Sequence, residues 1–277
     1  MRAAIINGPH AFHHWRRLVK EDVSADWSDE LSPGLDAVVI IGGDGTVRRH
    51  LPQLAEISAP VLVVPTGSGN DFASSLGIKN PRQALELWKR FGERRDNVRT
   101  IDLGCATDAG GVRHLFCNVA NFGMDSDINR RANNLSPFWR ANGGYILSLF
   151  PSLVHYRPPE VRICIDGRMM ERKLLLAVAA NGTRYGRGLH IAPKADMHDG
   201  RLDLCFVREI PKLKVAVLFP LVYFGKHLII KEVEYANFQR LSVESAQPLE
   251  VYADGDFLCH TPAEITVVPN ALQVIAP

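Results

Sequence analysis

The chain lacks any apolar run long enough to cross a bilayer. Its longest, Val215–Phe224, is about half of what a spanning helix needs. The opening MRAAIINGPH carries too short an apolar stretch for a secretory signal, so a soluble cytoplasmic protein is expected. No CxxC occurs among the five cysteines (Cys105, Cys117, Cys164, Cys205, Cys259). Their wide, odd-numbered spacing excludes a metal-cluster motif and a disulfide framework, and fits buried thiols in a reducing compartment. Charge of one sign is also missing. With a formal net charge of +2, no nucleic-acid partner is expected, and any pull on phosphate or on an anionic membrane has to come from a local patch. Repeats, low-complexity tracts and long linkers are absent. What remains, 46% hydrophobic and 22% charged residues, is an ordinary globular composition.

At 277 residues the chain exceeds one ordinary core, and its texture changes near residue 99. Before that point, continuously apolar strands at Ala3–Ile6, Ala37–Ile41 and Val61–Val64 alternate with helical patterns. The clearest helix is Pro81–Phe91, with Asn80 as N-cap and Pro81 at the first helical position. Strands apolar on both sides predict a parallel α/β layer over residues 1–98. From residue 99 to 277, short alternating segments (VRTIDLGCA, VRHLFCNVANF, EVRICID, RLDLCFV, RLSVES, LEVYAD, AEITVV) predict a β-rich, sandwich-like domain. Its last strand is free to return to the first domain. Two helical insertions, Pro137–Tyr156 behind Ser136 and Pro211–Ile230, interrupt it.

The chemistry-bearing stretch is VVIIGGDGTV, Val38 to Val47. Gly42, Gly43, Asp44, Gly45 and Thr46 follow a buried strand and precede a helix, so backbone N–H groups and the helix N-terminus can approach an anion closely. Asp44 would repel a phosphate unless a cation stood between them, which suggests Mg²⁺. A tight strand–helix turn with an Asp cap explains this loop taken alone. A second loop of the same kind, PTGSGNDF from Pro65 to Phe72, ends the next strand. Two such turns on successive parallel strands converge on one crevice, which coincidence explains poorly.

GGDGT followed by P-x-G-x-x-N-D-F resembles the diacylglycerol kinase catalytic domain, the pattern of soluble bacterial lipid kinases and of sphingosine and ceramide kinases. The resemblance continues through Ile101-Asp102-Leu103-Gly104, Ile191-Ala192-Pro193-Lys194-Ala195, Asp199-Gly200-Arg201-Leu202-Asp203, Asp254-Gly255-Asp256, Pro262 and ITVVPNAL. It implies an ATP-dependent lipid kinase of NAD-kinase/diacylglycerol-kinase-like fold, with catalysis in a cleft between two domains. By the same resemblance, Gly42 to Thr46 hold the nucleotide phosphates, with Asp44 facing the metal-bound triphosphate. Gly67, Ser68, Gly69 and Asn70 complete the ATP site. Asp199 holds a structural Mg²⁺ with the backbone carbonyls of Asp196 and Arg201. Asp256 is the general base, and Asp254 orients the site. The implied partner is a lipid at a membrane surface, touched peripherally; a homodimer is left open.

Four departures from the family pattern matter. Aspartate stands at 256 where the family carries glutamate, one methylene longer. Arg48-Arg49 replace Asn-Glu, Pro52 is expected to kink or shorten the following helix, and only one helix and a loop fit between Ile6 and Ile40. Two rival functions stay open: an NAD kinase, which shares the GGDGT loop, and a non-catalytic lipid or nucleotide sensor. Asp254-Gly255 read alone is a favoured hairpin dipeptide. His10, His13 and His14 have no ligand-spaced partners and are expected on a solvated first helix. Lys212–Lys231 reads as a packed helix with snorkelling lysines, or as a rim on anionic membrane. Arg184, Arg187 and Lys194 are open to either a cleft lining or ordinary surface placement.

Overall fold

The structure, a computed structural model, describes residues 1–9, 13–136, 138–139 and 144–277. The chain divides into two compact units, Met1–Leu103 with Pro269–Pro277, and Gly104–Val268.

The first unit runs β1 (Arg2–Asn7), α1 (His13–Asp22), β2 (Asp26–Ser28), β3 (Ala37–Gly42), α2 (Asp44–Ile57), β4 (Val61–Pro65), α3 (Asp71–Ser75) and α4 (Pro81–Arg94). Its strands are parallel in the order β2-β1-β3-β4, and the chain's C-terminal segment sets Val274 beside Val61. Every residue of β3 and β4 is buried, as the continuous apolar runs predict for strands covered on both faces. In α4 the Asn80 side chain accepts the Gln83 N–H at 3.0 Å and Pro81 opens the helix. Trp88 and Phe91 bury one face, with the Trp88 indole N–H donated to the Val19 carbonyl on α1. Pro52 does not shorten α2, which continues through it to Ile57. His14 is exposed on α1; His10 lies outside the described residues.

β5 (Val98–Thr107) starts in the first unit and ends in the second. There follow β6 (Arg113–Phe116), β7 (Val119–Gly123), α5 (Met124–Asn133), α6 (Gly144–His155), β8 (Glu160–Ile165), β9 (Arg168–Ala180) and β10 (Leu202–Arg208). Then come α7 (Lys212–Leu218), α8 (Pro220–Tyr223), a 3₁₀ turn (His227–Ile229), β11 (Val233–Phe238), β12 (Arg240–Ser245), β13 (Glu250–Ala253), β14 (Asp256–His260) and β15 (Ala263–Ile275). All ladders within this unit are antiparallel. One layer is ordered β14-β13-β7-β9-β10-β11; the other includes β8, β12 and the first half of β15. β9 serves both: Arg168–Lys173 pair with β8, and Leu176–Ala180 pair with β7 and β10. Phe116, Phe122, Phe206, Phe238, Leu241 and Ile265 form the core between the layers. Gly104 is required here, since a Cβ on it would come within 2.0 Å of the Phe116 ring.

The fold is therefore the expected α/β unit followed by a β-rich, sandwich-like one. Two segments differ in detail. VRHLFCNVANF is two strands, broken at Cys117–Asn118, and the helical stretch expected over Pro211–Ile230 breaks at Pro220 and again at Gly225, whose φ is +63°. Pro137, expected to open the other insertion, lies outside the described residues.

Candidate functional site

β3 delivers the first glycine loop. Gly43 is extended (φ −114°, ψ −169°) and no side chain caps α2; the Gly43 carbonyl accepts the Thr46 N–H at 2.9 Å and the Val47 N–H at 3.3 Å. The second loop meets the first. The Asp44 N–H donates to the Gly69 carbonyl at 3.1 Å, and the Thr66 N–H donates to the Gly42 carbonyl at 3.1 Å. Within the second loop, Asn70 closes on Gly67 twice: its Oδ1 accepts the Gly67 N–H (3.1 Å) and its Nδ2 donates to the Gly67 carbonyl (2.9 Å).

The glycines divide by function. A Cβ on Gly43 would lie 2.4 Å from the Gly69 carbonyl oxygen, and one on Gly67 would lie 2.4 Å from the Gly43 Cα. These two are glycine because the loops pack backbone on backbone. Gly42 and Gly8 make room for Thr46 instead; a Cβ on either would reach its hydroxyl within 2.5 and 2.4 Å. Thr46, expected among the phosphate contacts, is accordingly buried under the loop. At Gly45 a Cβ would meet nothing within 4 Å, and Ser68 is exposed, so this pair borders open space.

Asp44 has a role that sequence reading missed. Its Oδ2 accepts the Asp71 N–H at 3.0 Å and its Oδ1 accepts the Phe72 N–H at 2.9 Å, so one carboxylate ties the first loop to the start of α3. Two more acids of this unit, Asp71 and Asp102, have buried side chains; the Oδ1 of Asp102 accepts the Asn270 N–H at 2.8 Å. Their signals, N-D-F and I-D-L-G, were present in the sequence but were read as loop and strand markers.

In the second unit Asp254 and Gly255 form the two-residue loop between β13 and β14. Both have positive φ (+48° and +91°), and Ala253 pairs with Asp256 across them, which is type I′ hairpin geometry. The Asp254 carboxylate turns back into the sheet. Its Oδ2 accepts the Cys117 N–H (2.8 Å) with the thiol at 3.2 Å, and its Oδ1 accepts the N–H groups of Asn118 and Val119 (both 3.0 Å). Burial pushes this carboxyl above its ordinary value, opposed by the donated hydrogen bonds. Asp254 thus fixes the hairpin at the break between β6 and β7. Asp256, first residue of β14, is exposed beside it, and the Asn133 amide donates to the intervening Gly255 carbonyl at 2.9 Å.

The third group lies in the turn before β10. Asp199 Oδ1 accepts the Arg201 N–H at 2.9 Å, Asp196 Oδ1 accepts the His198 N–H at 3.0 Å, and the Arg201 guanidinium pairs with Asp166 at 3.3 Å. Burial raises the Asp203 carboxyl, the Tyr235 hydroxyl hydrogen bond opposes this, and the charges of Asp199 and Asp196 add to the rise. The Asp196–Arg201 turn, where the structural Mg²⁺ was expected, offers oxygen donors, the class of ligand that ion takes. Among the described residues no three His, Cys, Asp or Glu side chains converge as a metal cluster, so backbone carbonyls have to complete any such site.

An apolar cavity also opens in the second unit. Its lining includes Met124 and Ile128 of α5, Leu149 of α6, and Val215, Phe219 and His227 of the α7–α8 segment. No local sequence pattern marks this cavity, because its lining comes from segments about a hundred residues apart.

Residues 11–106 match the family described as the diacylglycerol kinase catalytic domain, and residues 118–276 match the YegS C-terminal NAD kinase beta sandwich-like domain. A diacylglycerol kinase of Mycobacterium tuberculosis is 38% identical over 255 residues, covering 89% of this chain and 79% of that protein. A "Probable lipid kinase YegS-like" protein of Chromohalobacter salexigens is 31% identical, covering 88% and 77%. The crystal structure of a diacylglycerol kinase from Bacillus anthracis matches the fold with a TM-score of 0.71 at 20% identity, over 100% of this chain and 97% of that one. Another chain from that organism reaches 0.76 at 22% identity, over 100% and 95%.

Proposed function

The chain belongs to the diacylglycerol kinase catalytic-domain family, and from that membership we propose that it transfers the γ-phosphoryl group of ATP to the hydroxyl of diacylglycerol or a close lipid relative. The observation that carries the reading is the interlocked loop pair, in which Gly43 packs on Gly67 and Asp44 clamps Asp71 and Phe72. Such a pair fixes the N-terminus of α2 and the open edge at Gly45 and Ser68 in one rigid cradle, and a fixed cradle is what a triphosphate requires. Phosphoryl transfer needs positioning and charge neutralisation more than covalent help, so a cradle and one carboxylate suffice.

In this scheme the tip of the first loop at Gly45 and the second loop from Gly67 to Asn70 hold the phosphates. The lipid hydroxyl oxygen attacks Pγ, the bond from Pγ to the β,γ-bridging oxygen breaks, and ADP departs with that electron pair. The hydroxyl proton passes to the Asp256 carboxylate. Asp254 keeps the hairpin that carries Asp256 in position, and the apolar cavity takes the acyl portion. Mg²⁺ beside Asp44, and a second ion held by Asp199 with the carbonyls of Asp196 and Arg201, would supply charge neutralisation at the phosphates and rigidity in the β-rich unit.

The test is incubation with labelled ATP and a panel of diacylglycerol, monoacylglycerol, sphingoid bases and NAD. Label in a glycerolipid is expected, with Asp256→Asn lowering the rate by about 10²–10⁴ while leaving the melting temperature unchanged. Label in NAD alone overturns the lipid reading. ATP binding with no label anywhere points to a non-catalytic sensor, the alternative favoured by the short Asp256 and by Arg48-Arg49. Asp256→Glu then tests whether reach alone was lacking.

A further inference from the structure

The two helical insertions of the second unit are unusual in composition and in what they expose. Residues 136–159 and 210–231 contain no Asp or Glu, where the chain's average of 30 acids in 277 residues would place about five. They do contain Lys212, Lys214, Lys226 and Lys231. Among the described residues, nine of the twelve large hydrophobic side chains that face solvent lie in these insertions.

Packing accounts for one face of each helix only. Leu149 and Leu153 of α6 and Val215 of α7 share a core cluster, and the Lys212 ammonium caps the Val154 carbonyl, so the helices lie side by side. Their other faces stay apolar. Leu213 is 78% exposed, Val217 67%, Phe224 72% and Ile229 81%, with Val154 exposed next to Lys212. A helix apolar on all sides is one that is covered on all sides. Snorkelling lysines do not explain this face, because the exposed groups are the hydrophobic ones.

We infer that the outer face of α6, α7, α8 and the 3₁₀ turn seats the second unit on an anionic lipid bilayer. Charge selects this occupant. Lys214 pairs with Glu232 (2.7 Å) and Lys231 stands near that same carboxylate, so two cations share one acid; Lys226 is in no ion pair among the described residues, and no acid lies in either insertion. Exposed aliphatic and aromatic groups beside an excess of lysine over acid match an acyl boundary beneath anionic headgroups. No helix among the described residues is long and apolar enough to cross a membrane, so the contact is one of lying on the surface. The inner face of the same segment (Val215, Phe219, His227) lines the apolar cavity, so the seat and the cavity share one thin wall. The inference deepens the lipid-kinase reading by naming where the lipid is met, and it can be tested without nucleotide.

Flotation of the full chain is measured with vesicles of phosphatidylcholine alone and of phosphatidylcholine containing phosphatidylglycerol, in the absence of ATP. Binding to the anionic vesicles alone is expected. K226Q/K231Q should weaken it about 30-fold, from about 1 kcal/mol per lysine near the surface. L213Q/V217Q/F224Q/I229Q should abolish it with an unchanged melting temperature and an unchanged rate on detergent-dispersed short-chain lipid. Equal binding to neutral vesicles, no binding to either kind, or wild-type binding by both variants would overturn the inference. A wild-type dimer that the apolar variant turns into monomers also overturns it, making this face a contact between copies of the chain. A chain that binds vesicles but phosphorylates nothing keeps this inference and loses the kinase reading; a chain active only on dispersed lipid does the reverse.

Discussion

Asp254→Asn is the substitution that best separates a structural carboxylate from a catalytic one. Asparagine tolerates the positive φ of this position, so the backbone is not disturbed and only the carboxylate chemistry changes. One amide oxygen can still accept from Asn118 and Val119, but the NH₂ group now opposes the Cys117 N–H and thiol. An unsatisfied buried N–H costs about 1–3 kcal/mol, and exchanging charge-assisted for neutral hydrogen bonds at the other two amides costs about 1 kcal/mol more. Relief from burying a charge offsets part of this, since burial already disfavours the ionised carboxyl. A net loss of about 1–3 kcal/mol at the hairpin follows.

Amide hydrogen exchange reads that loss where it occurs. The N–H groups of Cys117, Asn118 and Val119 should exchange about 5- to 150-fold faster in the variant, at about 1.36 kcal/mol per decade. Amides of β3 and β4, in the other unit, should be unaffected. Phosphoryl transfer should fall as well, because Asp256 hangs from the same two-residue loop. Exchange within threefold of wild type at all three amides would refute the view that this carboxylate holds the hairpin. Collapse of activity without faster exchange would assign Asp254 to the chemistry instead.

The glycine loops make a paired prediction. Gly43→Ala forces a methyl onto the Gly69 carbonyl and should cost about 1–3 kcal/mol of stability along with nucleotide binding, whereas Gly45→Ala meets open space and should leave thermal unfolding unchanged while weakening nucleotide affinity. Equal melting temperatures for the two variants would contradict the backbone-on-backbone packing. His227 should make stability fall in acid. Burial, aided by the charge of His190, holds its pKa below 6.5 against the hydrogen bond to the Ile191 carbonyl, so the unfolded chain binds the proton first. As pH drops below 6.5, stability should decline by up to about 1.4 kcal/mol per unit from this group, and His227→Gln should flatten that slope in urea titrations at successive pH values. A slope unchanged by the substitution would place the acid sensitivity elsewhere.

Much of this was legible in the sequence because it is written locally. Continuous apolar runs mark β1, β3 and β4, the Asn80–Pro81 pair marks the start of α4, and the GGDGT and NDF stretches mark both loops. What was illegible depends on partners distant in sequence. Nothing near Asp44 announces that its carboxylate is claimed by N–H groups 27 and 28 positions later. Nothing near Asp254 points to amides 135 to 137 positions earlier. β9 was missed because Arg168–Lys173 alternates poorly while Leu174–Ala180 is apolar throughout, the pattern of a strand that leaves one layer to join another.

The same distinction sorts the glycines, and with them the meaning of the motif. A phosphate-loop reading treats every glycine in GGDGT as a place for ligand to come close. In the folded chain Gly42 yields to Thr46, Gly43 yields to the second loop, and only Gly45 borders open space. Most of the motif therefore encodes the attachment of one loop to another, and ligand access is confined to its tip. A chain could keep GGDGT for that attachment alone, so the motif by itself establishes a rigid pair of turns. Activity has to be argued from what the motif does not contain: the acidic hairpin at 254–256 and the apolar cavity behind α7.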